Sequence, residues 1–238
     1  MSQDTERFEI KFRIDKTKES QFLYWLYHNT NFSSEFPERV NNSLYFDNAT
    51  YKFMFDNISG ISRRKKIRLR WYSEEISPCL SDSLHSCRKY SNKLFLEDKR
   101  KDGLLCHKKE LASVKIPGKK KSYEDMIFFL RKFCNQKNST TNFQNNLFLH
   151  PSIFIQYKRK YFSDPKGVRL TIDDEVFYSP VSENANISGA TRNHITIEIK
   201  FHPKEFQYVA DLLSRSDMRW IRSSKYLFGL SKVLGFQY

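Results

Sequence analysis

In the run Arg64-Lys65-Lys66-Ile67-Arg68-Leu69-Arg70-Trp71, cations recur at every second position. Successive side chains of an extended strand point to opposite faces. Arg64, Lys66, Arg68 and Arg70 therefore share one face, and Ile67, Leu69 and Trp71 share the other. The same two-step pattern sets Glu9, Lys11 and Arg13 against Phe8, Ile10, Phe12 and Ile14. It sets Arg169, Thr171 and Asp173 against Val168, Leu170 and Ile172, and Thr196, Glu198 and Lys200 against Ile195, Ile197 and Ile199. A solvated outer face accounts for any one of these strands. It accounts less well for the set, because solvated faces mix Thr, Ser, Gln and both signs of charge. A sheet closed on itself would turn these cations inward, toward an anion.

The rest of the chain is consistent with such a sheet. Strands are expected over roughly 6–14, 40–48, 62–72, 92–101, 104–115, 153–163, 167–174 and 193–201, about eight short segments separated by turn signals. Lys101-Asp102-Gly103 joins the fourth to the fifth, and Asp164-Pro165-Lys166-Gly167 the sixth to the seventh, as hairpins. Helices are expected over Lys16 to His28, Ser122 to Phe133 and Pro203 to Leu213, with a short last one over Ser223 to Leu230. Their apolar stripes read as core. Packed outside the sheet, they would cover its Ile and Leu faces and leave the charged side within. Ser73 to Ser91 and Asn135 to Asn146 are rich in Ser, Asn or Thr and read as loops. The class is α+β, and with no linker or internal repeat, residues 1–238 form a single domain.

The chain has 238 residues, 41 Lys and Arg against 27 Asp and Glu, a net charge of +14 and 39% hydrophobic residues. A core is affordable in one domain of this length, and the charge calls for an anionic partner: nucleic acid, a phosphate compound or an acidic membrane. No apolar run reaches the ~20 residues that span a bilayer, and the start lacks the apolar core of a signal peptide. A cytoplasmic location is expected, with Cys79, Cys87, Cys106 and Cys134 reduced. Cys79, His85 and Cys87 lie close in sequence but match no zinc spacing.

Several local clusters could hold phosphate. Arg68 and Arg70 can each present a fork of donors to phosphate oxygens, although an exposed basic strand explains the pair equally. Glu97-Asp98-Lys99 precedes a hairpin and Lys108 follows it, with Lys109 as the alternative register. Arg159 stands between Tyr157 and Tyr161 on one face, with Arg169 on the next strand. Glu198-Ile199-Lys200 and Arg222-Ser223-Ser224-Lys225-Tyr226 complete the set. A polyanion needs several cations to replace its hydration, and a divalent metal bridging its oxygens needs at least one carboxylate. Glu198 is the best metal ligand, and its alternative is a salt-bridge partner that orients a neighbouring Lys or Arg.

In their order along the chain, these segments resemble the VTC domain, the polyphosphate polymerase domain of the vacuolar transporter chaperone family, which belongs to the triphosphate tunnel metalloenzymes. The segments are Arg7-Phe8-Glu9-Ile10-Lys11-Phe12, Ser43-Leu44-Tyr45-Phe46-Asp47-Asn48, Arg68-Leu69-Arg70-Trp71-Tyr72, Glu97-Asp98-Lys99, Tyr157-Lys158-Arg159, Val168-Arg169-Leu170-Thr171-Ile172-Asp173, Glu198-Ile199-Lys200 and Ser224-Lys225-Tyr226-Leu227-Phe228-Gly229. They run from about Arg7 to Gly229. The resemblance implies an eight-stranded antiparallel β-barrel, a triphosphate tunnel with a charged interior. It implies phosphate contacts at Lys11, Arg68, Arg70, Lys99, Lys108, Arg159, Arg169 and Lys225, further contacts at Arg222, Lys101 and Tyr45, and a Mn2+ or Mg2+ held by Glu198. Lys101 stands where the fungal members carry His. Glu9 matches the first glutamate of the wider superfamily's N-terminal motif, of which only part is present.

The implied activity is transfer of the ATP γ-phosphate to growing inorganic polyphosphate, with release of ADP. ATP and polyphosphate are the implied partners, and nucleic acid is not expected. The regulatory SPX domain and the membrane segments of the fungal proteins are not seen in this sequence, so neither product export nor inositol pyrophosphate sensing is expected of this chain alone, and a membrane partner is left open. Three alternatives stay open. A metal-dependent triphosphatase would use the same tunnel, with Glu9 or Glu97 orienting water. A single-strand nucleic-acid binder is permitted by the charge and the 16% aromatic content. A family member could also bind polyphosphate without turning it over.

Overall fold

The computed structural model describes residues 6–116, 122–139, 148–182, 193–214, 216 and 218–237. Its frame is eight strands: β1 (Arg7–Asp15), β2 (Ser33–Asp47), β3 (Arg63–Ser73), β4 (Lys93–Asp102), β5 (Leu105–Lys115), β6 (His150–Ser163), β7 (Arg169–Ser179) and β8 (His194–Phe201). They form a closed barrel in the order β1-β5-β4-β3-β2-β6-β7-β8, with every neighbour antiparallel. The ring closes through a short seam, where β1 meets β5 at Arg7–Cys106 and Phe8–Leu105. The β4–β5 and β6–β7 turns fall at the expected hairpins. Gly103 and Gly167 supply the positive φ that each needs, +57° and +78°. In the second turn the Asp164 carboxylate accepts from the Val168 amide at 2.9 Å.

The alternation of β3 sets the sidedness. Ile67, Leu69 and Trp71 are fully buried on the outside of the barrel, beneath Leu84 of α3 (Leu80–Tyr90) and Leu130 of α4 (Tyr123–Ser139). Leu170, Ile172, Ile195, Ile197 and Ile199 pack outward against Phe22 and Leu26 of α1 (Glu19–Asn29) and Val209 of α5 (Phe206–Ser214). The cationic faces point into the lumen.

Four features differ from the sequence-based expectation. Ser73 to Ser91 is not a loop, because α3 occupies most of it. Leu80, Leu84 and Cys87 form a buried stripe one and two turns apart, thin enough to be hidden among polar residues. Asn135 to Asn146 is helical as far as Ser139, since Cys134 continues the buried face of α4, while residues 140–147 lie outside the described segments. A short helix, α2 (Lys52–Ile58), was not expected; the Asp47 carboxylate caps it by accepting from the Phe53 and Met54 amides at 3.0 and 2.9 Å. The last helix, α6 (Lys225–Leu234), does not lie outside with the others. Its Tyr226, Leu227 and Leu230 pack against the inward-facing Ile153, Ile155, Tyr157 and Tyr178, so it fills one end of the barrel.

Gly229 makes that insertion fit. A Cβ there would lie 2.5 Å from both Ile153 Cδ1 and Tyr178 Cδ1. The Tyr226 hydroxyl donates to Asp47, tying α6 to the carboxylate that caps α2. No helix among the described residues is long and apolar enough to cross a membrane.

A cation-lined tunnel

The lumen is a cavity of about 1180 Å³, bordered by sixteen Lys and Arg side chains and three carboxylates, Glu9, Glu35 and Glu198. Along β3 the lining runs from Arg64 to Tyr72, about 26 Å at roughly 3.3 Å per residue. Every site residue named from the sequence borders it: Lys11, Tyr45, Arg68, Arg70, Lys99, Lys101, Lys108, Arg159, Arg169, Glu198, Arg222 and Lys225.

Buried carboxylates in three groups organise the cations. Glu97 on β4 is fully buried. It takes Arg68 Nη2 at 2.8 Å, Arg70 Nη2 at 2.7 Å and Lys108 Nζ at 2.8 Å. Burial alone would raise its pKa, but these cations hold it at about 2. Arg68 also donates to the Tyr45 hydroxyl at 3.3 Å. The fifth strand's register is settled by this contact: Lys108 faces the lumen, whereas Lys109 pairs across from Asp98, on the outer face.

Asp173 on β7 is the second organiser. Arg159 grips it with both arms of its fork, Nε to Oδ1 at 2.5 Å and Nη2 to Oδ2 at 2.7 Å, and Lys225 of α6 reaches Oδ2 at 2.5 Å. Burial opposes ionisation, yet Arg159 and Lys225 hold the Asp173 pKa below its ordinary value. Burial pulls Lys225 itself down to about 8, outweighing Asp173, with Lys11 and Arg159 pushing the same way.

The third group lies on β1 and β8, where Lys11 stands directly opposite Glu198. Lys11 Nζ bridges Glu9 at 3.3 Å and Glu198 at 3.2 Å. Lys99 binds Glu9 at 2.6 Å, and Lys200 binds Glu198. Burial and their mutual repulsion favour protonation of both carboxylates, but the surrounding lysines keep both ionised.

At the periphery, Arg169 meets Glu35 at 3.3 Å, and Arg222 lies beside Gly60. Lys101 borders the lumen with its pKa lowered by burial.

Sequence reasoning assigned no contact to several charged residues in and around the lumen. Asp173 falls in the segment Val168 to Asp173 and Lys200 in the cluster Glu198-Ile199-Lys200, but the sequence assigns neither a contact of its own. Lys66 was visible too. Its ammonium donates to Ser224 Oγ at 2.8 Å, and burial beside Lys11 and Lys99 lowers its pKa well below normal. Arg39 comes from the part of β2 beyond the expected strand. There Pro37 and two register shifts break the alternation, and no periodic signal marks it.

Could this site hold a divalent metal? No group of three metal-ligating side chains occurs among the described residues. The donors are the ionised Glu198 and its neighbour Glu9, both on the lumen wall. That set fits Mg2+ or Mn2+, which bind through one or two carboxylates and complete their shell with water and substrate phosphate oxygens.

A closed antiparallel barrel with a cationic lumen defines the class as the CYTH-like triphosphate tunnel proteins. Within it the chain belongs to the VTC domain family, whose profile matches residues 6–234. Similar solved structures include a putative adenylyl cyclase from Hippeastrum described as having a dominant triphosphatase activity (TM-score 0.52, 10% identity, 98% of this chain and 97% of that one). Another is a putative adenylate cyclase from Bacillus halodurans (TM-score 0.51, 11% identity, 94% and 96%). At these identities the likeness is one of fold. No curated protein matches the chain.

Proposed function

We propose that this chain is a polyphosphate polymerase that transfers the γ-phosphate of ATP to a growing inorganic polyphosphate. The observation that carries this reading is the length of the cationic lining, from Arg64 to Tyr72 along β3. Three phosphates would occupy only part of it, and a chain of phosphates would use it all.

In this reading, Arg68, Arg70, Lys108, Arg159 and Lys225 grip the triphosphate and the end of the acceptor chain, held in line by Glu97 and Asp173. A terminal oxygen of the acceptor forms the new bond to the γ-phosphorus. The bond from that phosphorus to the β–γ bridging oxygen breaks, and ADP leaves with the electron pair. The acceptor oxygen is already ionised, so no base is needed, and positioning and charge neutralisation supply the catalysis. Glu198 and Glu9 would hold a Mg2+ or Mn2+, which adds charge neutralisation at the phosphates when bound.

Hydrolysis of triphosphate in the same lumen is the rival. It needs a carboxylate to orient water, a role open to the ionised Glu9 or Glu97, so the reaction products decide between the two.

Purified protein incubated with ATP and Mn2+ tests the proposal. Polymer laddering on a gel with matching ADP, lost in Glu198→Ala, supports the polymerase. Free phosphate without a ladder supports the triphosphatase, and neither product from folded protein leaves a binding role.

A further inference from the structure

Arg39, partly buried at one end of the lumen, differs from the arginines deeper within it. Arg68, Arg70 and Arg159 are each held by a carboxylate, Glu97 or Asp173. Arg39 has no carboxylate partner among the described residues. It is held by aromatic rings instead: its guanidinium carbon lies 4.1 Å from the ring centre of Tyr72, 4.8 Å from Tyr161 and 5.5 Å from Phe36. Its Nε donates to the Tyr161 hydroxyl at 3.2 Å, and that hydroxyl is fixed from its other side by Asn41 Nδ2 at 2.8 Å. Among the described residues this is the guanidinium's one hydrogen bond, which leaves both terminal nitrogens to a ligand.

The two ways of holding an arginine have different electrostatic consequences. A carboxylate orients a guanidinium but cancels its charge. Aromatic faces orient it through their quadrupoles and leave the full positive charge in place. Arg39 is thus oriented with no carboxylate among the described residues to offset its charge. It lies across the β2–β6 ladder from Arg159, beside Tyr72 at the end of β3, and it borders the cavity. A planar fork with two free arms suits a group with two terminal oxygens, and on the wall of a cationic tunnel that group is a phosphate in the polyphosphate reading.

We propose that Arg39, clamped by Tyr72, Tyr161 and Phe36, forms a phosphate subsite at this end of the tunnel. It would bind a phosphate of a longer chain beyond the three held by the carboxylate-organised arginines and lysines. The inference rests on the polyphosphate reading and deepens it by naming a residue that senses chain length. Inorganic triphosphate held at the centre does not reach this subsite, and a longer inorganic polyphosphate does.

The test compares calorimetric binding of inorganic triphosphate, ATP and a longer inorganic polyphosphate of defined length to the full chain and its Arg39→Gln and Arg39→Lys variants. In Arg39→Gln, affinity for the long chain is expected to fall about tenfold or more, as for loss of a charge-assisted phosphate contact. Triphosphate affinity should stay within about twofold, which also serves as the folding control. Arg39→Lys keeps the charge without the fork and should recover only part of the loss. An equal fall for all three ligands, no fall, or a fall confined to ATP overturns the inference. A wild-type chain that binds triphosphate but not polyphosphate overturns the polymerase reading and the inference with it. Wild type that binds the long chain equally well after Arg39→Gln overturns the inference alone.

Discussion

Lys225 at the start of α6 bonds Asp173 of β7 at 2.5 Å, so the helix that fills the barrel is fastened by an ion pair to the wall it fills. Burial sets the Lys225 pKa at about 8, below its ordinary value of 10.5. The ammonium is therefore charged below that pH and neutral above it. Triphosphate affinity should weaken as pH rises from 7 to 9.5, with a proton taken up on binding at the alkaline end. In Lys225→Arg, whose guanidinium stays charged, this limb should flatten. Calorimetry in buffers of different ionisation enthalpy reads both effects, and an unchanged pH profile in the variant would refute the assignment.

Glu97 neutralises Arg68, Arg70 and Lys108 at once. Glu97→Gln leaves those cations facing one another in a buried site, and breaking such a pairing typically costs about 3–5 kcal/mol. The melting temperature should fall in phosphate-free buffer and recover more than wild type does on adding inorganic triphosphate. Wild-type Glu97 also makes the fold acid-sensitive. With a folded pKa of about 2 against an ordinary 4.5, its stabilisation is present above the unfolded value and is lost as pH falls from there toward 2. Thermal melts with and without triphosphate check both points.

Arg68 reaches the lumen centre but carries only part of the load on Glu97, which keeps Arg70 and Lys108. Arg68→Ala should leave the melting temperature close to wild type and lower turnover of ATP on the order of a hundredfold, as for removal of one preorganised donor. Unchanged turnover would count against the tunnel as the reaction site.

Gly229 has no room for a methyl group. Gly229→Ala favours the helix by up to about 1 kcal/mol, yet it drives a carbon to 2.5 Å from both Ile153 and the Tyr178 ring. The ring cannot swing away as freely as a chain end, and overpacking of this kind costs about 1–3 kcal/mol. A net loss of stability, with weaker triphosphate binding because Lys225 and Ser224 are displaced, is the expected outcome. Chemical denaturation checks it.

Much of this protein was legible in the order of its residues, because a barrel with a wet interior imposes a strict period of two. The alternation alone puts Lys11, Arg68 and Glu198 on the face that lines the lumen. The period failed where the backbone departs from a regular ladder. β7 was expected to end near 174 and runs to Ser179. Glu175 takes a φ of +48°, and the ladder slips between Gln156 and Lys158, which changes the phase of the pattern. Arg39 was hidden for a related reason, since Pro37 and the irregular start of β2 carry no alternation. α3 was hidden by dilution, with three buried apolar residues among polar ones. The inward position of α6 had no local signature, because a helix stripe reports burial but not which side of a sheet it faces.

The barrel is sealed between its first and last strands, with Phe8 paired to Phe201, and the Ile221 amide then donates to the Lys11 carbonyl at 2.9 Å just before α6 enters. Contacts so distant along the chain form late, after the loop-closure entropy of the long segment between them has been met. During synthesis on the ribosome, β1 must therefore wait for β8, and the cluster around Asp173 must wait longer still for Lys225. A chain not yet extended through α6 carries the cations but not the chamber that gives them a purpose, so competence to hold phosphate waits for that helix.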